Sequence, residues 1–220
     1  MPRRRLIKTN QFPYHVTARS NNKEWFCLPI EQCWAIFCAQ LRHTATLYDL
    51  RIYAFTLMSN HFHLILETPH ANLGDVMRTL LTGISKEIQR QSGRINHVFG
   101  DRYRWSILRT ASSAAYVYKY VLRNPVRAGI VNNLENYRFT SWPFESAKCL
   151  PIADGVGPLW NQVPKPLSRR LAWLNQPTEK ELEIEITQAL KRTYFNFSKD
   201  NAKQRAIRDL MDKYEPNLTG

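Results

Sequence analysis

Long apolar runs are missing from this chain: the stretch Trp34–Ala39 stops far short of the ~18 residues that a membrane span requires. The basic opening, Met1-Pro2-Arg3-Arg4-Arg5, has no apolar segment behind it and does not read as a secretory signal. The four cysteines, Cys27, Cys33, Cys38 and Cys149, form neither a Cys-x-x-Cys pair nor a zinc-ribbon spacing. That argues against a disulfide framework and fits a reducing compartment, the cytoplasm. Cys33 and Cys38 lie in an apolar stretch and read as small core residues. Acidic side chains are scarce as well: 18 Asp and Glu stand against 31 Lys and Arg, a formal charge of +13. Such a balance favours a polyanionic partner.

What is present is enough for a core. The chain has 220 residues, 44% hydrophobic and 12% aromatic, which excludes wholesale disorder and suffices for one α/β domain plus an appendage. The charge is unevenly spread, with 20 basic and 9 acidic side chains in residues 1–149 against 11 and 9 in the remainder.

Tyr14–Arg19 is rich in β-branched and aromatic residues and reads as a strand closed by the turn Ser20-Asn21-Asn22. From Ile30 to Tyr48, Trp34, Phe37, Cys38, Leu41 and Ala45 keep a helical period. Arg51–Met58 and His61–Glu67 read as strands joined by Ser59-Asn60, a hairpin. Asn72 is a candidate N-cap for a helix whose apolar face runs from Leu73 to Ile88 and ends at Ser92-Gly93. A fourth strand over Arg104–Arg109 and a helix capped by Ser112 or Ser113 complete the order. Strand–helix–strand–strand–helix–strand predicts an α+β fold, a ferredoxin-like antiparallel sheet with helices packed on one face. Composition shifts after Cys149: Pro151–Pro166 reads as a linker, and Glu179–Tyr194 and Asp200–Tyr214 as helices. The expected division is a catalytic domain over 1–149, then a linker and small helical C-terminal appendage over 150–220.

Two features carry chemistry. In the strand His61-Phe62-His63 the imidazoles share one face and Phe62 takes the other. A pair of neutral imidazoles can hold a divalent cation, with a third ligand from elsewhere; two half-buried structural histidines are the plainer alternative. In the helix after Ser112, Ala114, Val117, Tyr118 and Val121 form a core face, while Tyr116, Tyr120, Arg123 and Arg127 gather on the opposite side. Pro125 has no N–H to bond back to Val121, so the helix bends or restarts there and can swing Asn124 toward a metal. Together these parts describe one reaction. A metal at His61 and His63, Mg²⁺ or Mn²⁺, polarises a phosphodiester, and the Tyr120 phenolate attacks phosphorus and expels a 3′-hydroxyl. Lys119 or Arg123 would favour the phenolate.

Met58-Ser59-Asn60-His61-Phe62-His63-Leu64-Ile65-Leu66 and Tyr120-Val121-Leu122-Arg123-Asn124-Pro125-Val126-Arg127-Ala128-Gly129-Ile130-Val131 together resemble the REP-associated tyrosine transposases of the HUH single-tyrosine superfamily. The opening Tyr14–Asn22 is similar to that family's first strand and loop, so the resemblance spans about residues 1–145. It implies a bacterial HUH endonuclease fold that cuts single-stranded DNA beside hairpins of repetitive extragenic palindromes. It further implies Tyr120 as nucleophile, His61, His63 and Asn124 as metal ligands, and a monomer or homodimer acting in the cytoplasm on the nucleoid.

Two departures stand out. Tyr116 precedes Tyr120 by one helical turn, resembling the paired nucleophiles of rolling-circle replication initiators. The tail carries Lys191–Phe197 where the family often has a basic, glycine-containing motif. Further DNA contacts are expected from the basic arm Arg3, Arg4 and Arg5, from Arg19, Lys119, Arg123 and Arg127, and from Arg102, Arg104 and Trp105, where cations alternate with aromatics. Trp105 reads equally well as a sheet core residue. A basic hairpin-binding regulator without chemistry, and a nuclease using water in place of tyrosine, remain as competing readings.

Overall fold

The computed structural model describes residues 5–142 and 150–197. Arg3, Arg4, the expected domain boundary at Cys149 and the expected helix over Asp200–Tyr214 lie outside them.

Four strands, β1 (Tyr14–Arg19), β2 (Arg51–Leu57), β3 (His61–Glu67) and β4 (Arg104–Ile107), form one antiparallel sheet in the order β2-β3-β1-β4. The helices α1 (Ile30–Tyr48) and α2 (Leu73–Ser92) join them in the ferredoxin-like order. Helix α2 stops where Gly93 takes φ +71, the left-handed cap conformation in which a Cβ would be strained.

Alternation sorts each strand between two faces. Tyr14, Val16, Phe62, Leu64, Leu66, Trp105 and Ile107 point to α1 and α2 and are buried in one core with Phe37, Leu41, Val76 and Leu80. In β2 the register shifts between Ile52 and Ala54, a bulge. The extra residue lets Ile52 and Phe55 both reach the α1–α2 core while Tyr53 and Ala54 turn to the other side.

That other face is covered only in part. Helix α3 (Ala111–Leu122) lays Ala114, Val117 and Val121 over Ala54 and Ile65, so the apolar stripe read from the sequence meets a second core, behind the sheet from α1 and α2. Its N-cap is Thr110, not Ser112 or Ser113; the Thr110 side chain accepts from the Ser113 amide, and Ser113 returns the bond as the third residue of a capping box. The expected break falls at Pro125: α3 ends at Leu122 and a single turn, α4 (Asn124–Arg127), restarts with the proline in its first turn.

The C-terminal segment is built into this second layer. Pro151–Pro166, expected as a linker, instead pairs Ile152 with β2 at Ile52 and buries Trp160 against Tyr53, ring centroids 4.3 Å apart. Helices α5 (Leu167–Asn175) and α6 (Lys180–Ala189) then place Leu174, Leu182 and Ile186 in the α3 core. Beyond them Tyr194 bridges to Ile107 at the opposite edge. Each sheet edge thereby carries isolated bridges, from Ile152 and Thr140 on β2 and from Tyr194 on β4.

Candidate active site

The part of the sheet that α3 leaves uncovered floors a cleft of about 840 Å³. Antiparallel pairing builds its floor: Arg19 sits opposite His61 and Thr17 opposite His63, so both imidazoles and the Arg19 side chain share one face. Phe62, between them, is fully buried under α1 with its ring 5.5 Å from Phe37. From the side, α3 and α4 bring in Tyr120, Asn124 and Arg127.

Tyr120 stands edge-on to His63, ring centroids 5.6 Å apart at 89°. The Arg127 guanidinium lies over the other part of that phenol, 4.4 Å from the ring centre, and is itself held by Glu183 of α6 at 3.3 Å. The cation beside the phenol is therefore Arg127; Lys119 and Arg123, expected in that role, line a neighbouring cavity and not the cleft. Asn124 is 7% exposed and its Nδ2 donates to the Tyr120 carbonyl, which leaves Oδ1 for another partner.

The histidines are held in a defined way. Asn60 Oδ1 lies 2.7 Å from His61 Nδ1 and can only accept, so Nδ1 carries the proton and Nε2 keeps its lone pair. His63 Nδ1 lies 2.9 Å from Nε2 of His15, a buried β1 residue stacked on it at 5.2 Å. Burial pushes the His61 imidazole down to about 4, with Arg19 adding to the effect. His63 is held well below its ordinary value by burial and then by the neighbouring His15, His61, Arg127 and Arg19. All are neutral bases at neutral pH, the form that ligates metal.

His15 was missed in the sequence. Its signal was legible: Tyr14-His15-Val16 alternates, and a β1 neighbour of β3 must put His15 on the His61/His63 face.

The remaining expected site residues divide cleanly. Arg102 and Arg104 are exposed on the cleft rim with Arg19, and Arg5 is exposed at the start of the described chain. Trp105 is 5% exposed and packs edge-on to Tyr14 at 6.2 Å, so it is core and offers no stacking surface for a base. Tyr116 faces the neighbouring cavity, edge-on to Phe197 at 5.7 Å, and does not line the cleft. Among the described residues no group of three or more His, Cys, Asp and Glu is arranged to hold a metal. None of the described helices is long and apolar enough to cross a membrane.

A family model described as "Transposase IS200 like" matches residues 8–124, more than half of the chain, from β1 through the tyrosine helix to Asn124. The chain belongs to the IS200-like transposase family. Among solved structures the transposase resembles a REP-associated tyrosine transposase bound to a REP hairpin, with 17% identity and a TM-score of 0.56, covering 72% of this chain and 93% of the other. That likeness supports the fold. A structural match to a transposase-like protein of Deinococcus radiodurans has 16% identity and a TM-score of 0.38, covering 55% of this chain and 94% of that one. No curated protein matches.

Proposed function

We propose that this transposase is a metal-dependent single-stranded DNA endonuclease and strand transferase that acts beside palindromic hairpins through a 5′-phosphotyrosine intermediate. One observation carries the reading: Tyr120 meets the His61/His63 face in a cleft rimmed by arginines, with Asn124 one turn beyond it. The solved relative's hairpin supports the choice of DNA substrate.

The donor set fits a divalent cation, Mg²⁺ or Mn²⁺. His61 offers Nε2 and Asn124 offers Oδ1, both left over after their other polar atoms are bonded. His63 offers Nε2 when its Nδ1–H donates to His15. When bound, the cation supplies Lewis-acid polarisation of the phosphodiester. Arg19, Arg102 and Arg104 hold the DNA backbone on the rim. Tyr120 Oη gives up its proton and forms a bond to phosphorus as the P–O3′ bond breaks, and the departing 3′-oxygen takes up a proton. Arg127, against the phenol ring, stabilises the developing phenolate. The ester bond energy is kept in the phosphotyrosine, so a second 3′-hydroxyl can reverse the step on a new strand.

Incubation with Mn²⁺ and an end-labelled single-stranded hairpin from the host genome's repeats should yield a band that survives denaturing electrophoresis and disappears with protease. Cleavage without that band would make water the nucleophile and end the proposal.

The His15 contact gives a separate expectation. His15→Leu removes the acceptor for His63 Nδ1–H, whereas Gln can still accept through its amide oxygen. Mn²⁺ affinity, read by calorimetric titration, should fall about 10- to 100-fold in His15→Leu and largely recover in His15→Gln. Equal affinity in the wild type and His15→Leu would show that His15 is only core packing.

A further inference from the structure

Tyr120 and Arg127 are a shared wall. On one side lies the cleft, and on the other a partly open cavity of about 80 Å³ lined mainly by α3, α5 and α6. A single water needs roughly 10–15 Å³, so this space has room for a group several times larger. Its side walls are aromatic, Tyr116 from α3 and Trp173 from α5. Its floor is cationic in an unusual way. Lys119 lies 5.1 Å from the Trp173 ring centre, and no carboxylate among the described residues forms an ion pair with it. Burial, and then Arg123 nearby, lower its ammonium to about 8. Arg123 is 7% exposed; one end of its guanidinium donates to the Leu174 carbonyl, while its Nε is buried without a hydrogen-bond partner among the described residues. Glu183, in the same lining, offsets part of the Arg123 charge, but Lys119 has no ion pair among the described residues, so acceptor atoms placed beside the two desolvated cations would be favourable. Gln162, Thr178 and Glu179 in the lining add donors and acceptors suited to a base edge.

Resting on the functional reading above, we propose that this cavity takes one unpaired nucleotide adjoining the scissile phosphate, its base against Trp173 and its acceptor atoms on Lys119 and Arg123. The nucleotide is turned out of the strand beside Tyr120, and its identity helps to set the cleavage site. Continuity with the cleft argues for the DNA strand as the source, because a strand whose phosphate reaches Tyr120 already lies at the cavity wall.

The test is a scan of single abasic positions around the cleavage point of the hairpin DNA, with binding measured under chelation so that no strand is cut. One position should weaken wild-type binding about tenfold. Trp173→Leu and Lys119→Gln should each weaken binding to the intact strand and lose most of that abasic penalty, since the base then has little left to contact. Lys119→Gln leaves the α5 packing in place and covers a Trp173 variant that folds poorly. Full penalties in both variants, or no abasic position that matters in a protein that still binds and forms the tyrosine adduct, would overturn the cavity assignment alone. Micromolar binding of a free deoxynucleoside monophosphate with no sensitive strand position would assign the cavity to a soluble nucleotide. Failure to bind hairpin DNA at all would remove both this proposal and the functional reading.

Discussion

Tyr120→Phe is expected to abolish the covalent DNA adduct and to lower strand cleavage by at least about 10³-fold, because among the described residues no other tyrosine lines the cleft. The substitution removes one oxygen and leaves the ring that packs edge-on to His63 and under Arg127, so the fold and the cleft should persist. Hairpin binding should change little. Tyr116→Phe is the informative companion. Its phenol lies in the neighbouring cavity, one helical turn from Tyr120, and it should leave adduct formation intact. A paired-nucleophile mechanism requires the opposite, a residual adduct in Tyr120→Phe that only the double variant removes. His63→Ala should resemble Tyr120→Phe in activity yet keep the phenol in place, which separates loss of the nucleophile from loss of the metal site. Adduct and cleavage that survive Tyr120→Phe at wild-type levels would end the tyrosine mechanism.

What was legible in the sequence was local. His61, Phe62 and His63 share a short strand, and period two alone sends Phe62 to the core and the imidazoles to the other face. Pro125 announces the break that turns Asn124 into the cleft, and the order of elements points to the sheet topology. Contacts between distant segments were not legible. The side of α3 bearing Tyr116 and Tyr120, with Arg123 just past the helix end, is turned from the core face in the sequence pattern. The chain returns some 50 residues later to cover it, so that Arg123 donates to Leu174 and Arg127 is held by Glu183. Nothing in the spacing of a helix says which remote segment will lie on its polar side. Trp105 illustrates the same limit from within the sheet. Its neighbours Arg104 and Arg102 are exposed, and only the register with Val16 decides that the indole goes inward beside Tyr14.

The cluster of neutral histidines should also govern stability. Burial places the His15 imidazole at about 3 and His61 at about 4, with His63 well below its ordinary value, whereas in the unfolded chain all three titrate near ~6.5. The unfolded state therefore binds more protons throughout the interval between those values. Stability is complete above about pH 6.5 and falls as the pH drops toward 4. At pH 5 each imidazole that stays neutral in the folded protein costs on the order of 2 kcal/mol relative to pH 7, less for the half-buried His61. The His15 contribution alone is an appreciable share of the stability of an ordinary domain, roughly 5–15 kcal/mol, and His61 and His63 act in the same direction. Urea unfolding with chelator present, repeated between pH 7.5 and 5, should show the midpoint falling steeply over that window. His63→Gln should flatten the dependence by about one proton, because an amide neither takes up a proton nor loses its partner at Nε2 of His15. A wild-type midpoint that stays level from pH 7 to pH 5 would mean that the folded cluster accepts protons freely. The imidazoles would then be cationic in mild acid, and divalent metal binding should fail over the same range.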